Sequence, residues 1–144
     1  MANLAGIKDT YKISGNVAAG VDGSAELSSA VDCMGYDNVY LEVSLGAVVN
    51  AAVFTIKITE CATADGDYAD ITGAVITQTV GSSGGAAASD KIWQIDAKIS
   101  KRYVKISYQR TVQNVEIDSI ILSLYNGKRV NTDKSAVVHE RVIV

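Results

Sequence analysis

Apolar and polar residues alternate with a period of two along much of this chain, the pattern of strands that bury one face only. In Asn38–Leu45, residues Val39, Leu41, Val43 and Leu45 fall on one side and Asn38, Tyr40, Glu42 and Ser44 on the other. The next run repeats this, with Phe54, Ile56 and Ile58 inward against Thr55, Lys57 and Thr59. In 101–108, Val104, Ile106 and Tyr108 oppose Tyr103, Lys105 and Ser107; in 119–125 the inward set is Ile120, Leu122 and Leu124. Weaker runs lie at 10–15, 24–31, 74–79 and 91–96, the last with Trp93 and Ile95 on one side. No window of about 11 residues repeats apolar residues at helical spacing behind a cap, so little helix is expected.

Turn residues separate these runs. Asp22-Gly23, Asp65-Gly66 and Asn126-Gly127 tolerate positive φ and predict tight hairpins. The third predicts that 128–131 fold back along 119–125. The run Gly81–Ser89, only Gly, Ser and Ala, predicts a mobile loop. About eight short strands punctuated this way predict an all-β fold, an antiparallel β-sandwich of jelly-roll-like form with extended terminal arms. The expected organisation is an N-terminal arm at 1–9, a sandwich domain at 10–131 and a C-terminal arm at 132–144.

Composition narrows the class. The 144 residues are 48% hydrophobic and 20% charged, the opposite balance from a disordered chain. No apolar run approaches the roughly 20 residues of a membrane helix, and MANLAGIKDTYK has no signal-peptide core. A soluble domain made inside the cell is the expectation. Cys33 and Cys61 are then expected to be reduced and buried; a bridge between them would need an oxidising location.

Charge is segregated. Residues 22–70 hold nine acids against Lys57, whereas 91–110 hold six bases against Asp96. Residues 128–144 add Lys128, Arg129, Lys134 and Arg141 against Asp133 and Glu140. Such regions either meet copies of the same chain or a mixed-charge partner, or are solvated strand faces.

The chemical inventory is thin. His139 is the single histidine, no GxSxG turn presents a nucleophile, and neither cysteine has a base placed on a rigid element. Asp65, Asp67 and Asp70 lack the remainder of a calcium-loop pattern and read as an acidic turn. One histidine and two distant cysteines have no zinc spacing, and the glycines at 81–85 match no phosphate loop. The basic and aromatic run Arg102–Tyr108 lacks the glycines of an RNA-binding platform, in a chain of net charge −3. The sequence therefore carries no catalytic, cofactor or metal site, and predicts no nucleic-acid, membrane or small-molecule partner.

Ser135–Val144 is rich in β-branched residues and needs a partner strand, either in its own sheet or in a neighbour's. The candidate partner-binding residues are Val137, Val138, Arg141, Val142, Ile143 and Val144, with Leu4 and Ile7 in the N-terminal arm.

Four blocks carry a family likeness: VDCMGYD at 31–37, FTIKITE at 54–60, DGDYADI at 65–71 and KRYVKI at 101–106. In this order, across roughly 30–125, the chain resembles the capsid cement (decoration) proteins of tailed-phage heads. The resemblance implies a virion protein, made in the host cytoplasm, that binds the outer capsid surface and ties capsomers together. Its implied partners are the major capsid protein and itself, as a homodimer or trimer. The chain departs from the family in running on after its last strand through KRVNTDKSAVVHERVIV. The alternative is another virion component, tail- or fibre-associated, including a sugar-binding module.

Overall fold

In the computed structural model the alternating runs become strands whose apolar sides face one another across two sheets. The structure describes residues 9–17 and 26–127, with side chains from Ser28 to Gly127. The strands are β1 (Asp9–Val17), β2 (Glu26–Leu27), β3 (Val31–Asp32), β4 (Tyr36–Val48), β5 (Val53–Cys61), β6 (Ala69–Thr79), β7 (Ile92–Lys98), β8 (Tyr103–Val112) and β9 (Val115–Gly127). One helical turn, α1 (Gly85–Ala88), lies between β6 and β7.

One sheet has the order β1-β9-β4-β7 and the other β2-β8-β5-β6, with β3 also on β8. Taking β2 and β3 as one broken strand, this is the eight-strand jelly-roll order. Every pairing is antiparallel. The expected all-β sandwich is therefore the fold.

The core is built from the inward sets read in the alternation. Val39, Leu41, Val43 and Leu45 of β4 and Ile120, Leu122 and Leu124 of β9 are at most 2% exposed. They face Phe54, Ile56 and Ile58 of β5 and Val104 and Ile106 of β8. Trp93 packs its ring 5.2 Å from that of Phe54, tying edge strand β7 to the opposite sheet. Burying one such aliphatic side chain contributes about 1.5–3 kcal/mol, so these two facing rows dominate stability.

Three local expectations are corrected. The run at 81–89 is built into the fold: Gly85 N–H donates to Asn50 Oδ1 at 2.8 Å, and Ser89 Oγ accepts from Val48 N–H at 2.8 Å. A side chain at Gly85 would meet Val48 O at 2.5 Å, so close backbone approach, rather than mobility, explains that glycine. Asp65-Gly66 belongs to a seven-residue loop, 62–68, rather than a two-residue hairpin. Asn126-Gly127 does not begin a hairpin beside β9. Asn126 has φ 58° yet lies inside the strand, and β9 is central, with β1 from Asp9↔Leu124 and β4 from Tyr36↔Gly127 on its two sides. Residues 128–131 themselves lie outside the described residues.

Register gives the sandwich two unlike ends. Links 49–52, 80–91 and 113–114 carry the chain from one sheet to the other at one end. At these crossings Ala51, Asp90 and Gln113 adopt the left-handed conformation, with φ between 56° and 60°. The other end holds the turns 33–35, 62–68 and 99–102. Because Asp9 pairs with Leu124 and Gly127 with Tyr36, the chain enters β1 and leaves β9 there too.

Candidate functional site

The four sequence blocks converge on that second end and on the adjoining outer face of the β2-β8-β5-β6 sheet. Asp32 of the first block accepts a two-point bond from Arg102 of the last, Nε to Oδ1 at 2.9 Å and Nη2 to Oδ2 at 2.7 Å. This clamps β3 to the start of β8, and the same Asp32 Oδ1 accepts the Met34 N–H at 3.0 Å. Gly35, at φ 91°, completes the tight turn into β4 that leaves Met34 55% exposed. A recess of about 300 Å³ lies beside it, lined by Met34, Gly35, Ile99, Lys101 and Arg102.

Glu60, at the end of FTIKITE, lies at the same parity as Phe54, Ile56 and Ile58 and is buried with them. Its carboxylate accepts the N–H groups of Ser100 at 2.8 Å and Lys101 at 3.1 Å, and the Ser100 hydroxyl. Burial pushes this carboxyl upward, but the donors outweigh it and hold it below the usual range. Sequence reading missed Glu60; an acid at the inward position of an alternating strand was the available signal.

On the outer face of the five-stranded sheet, Lys57 pairs with Asp70 at 2.8 Å, joining β5 to β6. Lys105 lies 4.4 Å from the centre of the Tyr68 ring, whose hydroxyl donates to Ala64 O at 2.9 Å. Together with Thr59 and Ser107 these residues line a recess of about 370 Å³. The basic and aromatic character of 102–108 is thus spent within the domain, on Asp32, Tyr103 and Tyr68. Asp70, engaged with Lys57, is not gathered with Asp65 and Asp67 around a point; among the described residues no group of three His, Cys, Asp or Glu is placed to hold a metal.

The outer face of the four-stranded sheet is acidic. Glu42 lies between Gln94 and Ile121, and Tyr40 between Asp96 and Ser123. Glu116 and Asp118 stand over Gly46, where a Cβ would come within 2.8 Å of Asp118 Oδ1. The basic positions of this face are Lys98 of β7 and, by register with Ile121, Lys12 of β1. Tyr125 crosses the sheet to donate its hydroxyl to Asp96, and burial with this bond pushes it up to about 12. Burial, with Glu42 and Asp96 nearby, also raises the Tyr40 hydroxyl. Among the described residues no strand or helix packs over this face; Gly85 of α1 bonds Asn50, just past the end of β4, and Ser89 bonds Val48, its last residue.

Cys33 and Cys61 are buried, as the sequence predicts, and are not bridged to each other. They flank β8 from its two sides, near Arg102 and Tyr103. Two strand spacings separate them, about 10 Å, beyond the roughly 7 Å that a disulfide spans.

The predicted partner-binding residues Leu4, Ile7, Val137, Val138, Arg141, Val142, Ile143 and Val144 lie outside the described residues, as does His139. What the structure does show is where their segments attach, at the end that carries Met34 and Arg102.

No family model matches the chain, and no curated protein does. Among solved structures it is similar to the PBSX exported protein XepA, with TM-score 0.59 and 15% identity, over 100% of this chain and 46% of that one. The chain thus spans less than half of XepA's length. It also matches the C-terminal CBM6 of the laminarinase LamC from Zobellia galactanivorans, with TM-score 0.47, 13% identity, and 79% and 98% of the two chains covered. Tobacco streak virus coat protein matches with TM-score 0.38 and 11% identity, over 90% and 92%. Likenesses this distant speak to the fold alone: the chain is a jelly-roll sandwich with two recesses and an acidic outer face, entered at β1 and left at β9 from one end.

Proposed function

We propose that this protein is a capsid cement protein, bound in many copies to the outer surface of a tailed-phage head, where it ties neighbouring capsomers together. The observation that carries the reading is the common departure point of residues 1–8 and 128–144, beside the rigid turns that hold Met34, Lys101 and Arg102. Two segments leaving one end of a rigid block can grip a single surface at several points. The mechanism is linkage: a ligand that binds only the assembled shell stabilises that shell. Each contact can be weak, because tethered contacts reinforce one another through effective concentration. The engaged cations and shallow recesses favour surface contact over chemistry.

The test is the copy number in gradient-purified virions relative to the major shell protein. A ratio near one, or a simple fraction of it, is expected. A handful of copies would move the protein to the tail or a fibre, and absence from the particle would overturn the structural reading. Deleting 135–144 is expected to leave a folded domain with greatly reduced shell binding; unfolding of that variant would refute the role of the segment as an arm.

A further inference from the structure

We propose that the acidic outer face of the four-stranded sheet receives the C-terminal segment, residues 128–144, of a second copy of this chain. The inference rests on the cement reading and names a partner for its arm.

Charge is the first argument. Glu42, Asp96, Glu116 and Asp118 face outward against Lys98 and the outer register position of Lys12, whereas 128–144 carry Lys128, Arg129, Lys134 and Arg141 against Asp133 and Glu140. Opposite fields of this kind set orientation and steer encounter. Apolar character agrees as well: Ile92, 59% exposed, and half-buried Ile121 interrupt the polar face, and the segment holds Val137, Val138, Val142, Ile143 and Val144.

Connectivity is the second argument. The strand from which the segment departs is flanked by β4 over Val115–Gly127 and by β1 over Ile117–Leu124. A hairpin folding back beside Ile117–Leu124 of β9 is therefore closed to it. Reach is the third: 17 extended residues span about 56 Å, against about 43 Å for a 13-residue strand such as β9, enough to cross to a neighbour.

The experiment is a charge exchange followed by sedimentation at low and high salt. One variant of the full chain carries Glu116→Lys and Asp118→Lys, the other Lys128→Glu and Arg129→Glu. The parent chain is expected to self-associate at low salt and to dissociate as salt screens the contact. Each variant alone should associate about tenfold or more weakly, and an equimolar mixture should recover association. Thermal melting by circular dichroism checks that the face variant folds, and the tail variant lies outside the described strands.

Carbodiimide cross-linking of mixed light and 15N-labelled parent chains locates the contact. Light–heavy links between Lys128 or Lys134 and Glu42 or Glu116 are expected. Links confined to single copies, a monomeric parent at low salt, or a mixture that fails to recover would each overturn the proposal. A monomer in solution that is abundant on virions would sink this contact while leaving the cement reading intact. Self-association of a protein absent from virions would do the reverse.

Discussion

Glu60 holds the Ser100 N–H at 2.8 Å, so a buried carboxylate on β5 fixes the turn that launches β8. The bond joins residues from two of the sequence blocks' neighbourhoods and sits directly behind the exposed Lys101 and Arg102. Glu60→Gln keeps the shape but weakens three charge-assisted bonds, and should cost about 1–3 kcal/mol in chemical denaturation.

The pH dependence of Glu60 follows from its depressed folded value. Its contribution to stability is present above the unfolded carboxyl value of about 4.3 and is lost as pH falls through the folded one. Glu60→Gln should therefore flatten the acid limb of the stability profile. An unchanged acid limb would show that other carboxylates govern it.

Tyr125 gives the opposite limb. Its folded value of about 12 lies above the ordinary phenol, so its stabilisation is complete below about pH 10 and is lost between there and about pH 12. Difference spectroscopy in the ultraviolet should show tyrosines ionising late, Tyr40 among them, and Tyr125→Phe should remove the step near pH 12. The substitution should cost about 1 kcal/mol through the lost bond to Asp96.

Gly85 and Gly81 offer a matched pair. An alanine at Gly85 meets Val48 O at 2.5 Å and Asn50 N at 2.7 Å, whereas Gly81 has nothing within 4 Å. Gly85→Ala should cost about 1–3 kcal/mol, and Gly81→Ala should be neutral or slightly stabilising. Thermal melting of the two variants side by side checks this. Equal effects would mean that α1 is not seated on β4.

Both thiols should resist modification in the folded protein and react fully in denaturant, because Cys33 and Cys61 are 2% and 7% exposed. Mild oxidation should not link them within a chain, since β8 stands between their strands. Rapid titration of native protein with a thiol reagent would contradict the burial.

Period-two alternation makes the core of this fold legible in the sequence. Leu41, Ile56, Ile106 and Leu122 are inward by parity alone, and all are fully buried. Which strands share a sheet is not legible, because parity says nothing about the partner across a ladder. Asn126-Gly127 shows the difficulty: its dipeptide chemistry favours a hairpin, but pairing with Tyr36 and Asn38 of β4 keeps both residues in the strand. At Gly85, a glycine needed for close approach looks in sequence like one needed for flexibility. The acidic face is half legible, since its carboxylates are spread over β4, β7 and β9 and only the register of the sheet brings them together.

The points where the chain enters β1 and leaves β9 have a practical consequence for anyone attaching a passenger to this protein. A tag or antigen joined directly before Asp9 or after Gly127 would enter the space used by Met34, Arg102 and the three neighbouring turns. The turn at Gly81–Ser83 lies at the far end, a strand length of about 43 Å away, and Gly81 meets nothing within 4 Å. An insertion there would stand clear of the terminal end and point the passenger in the opposite direction.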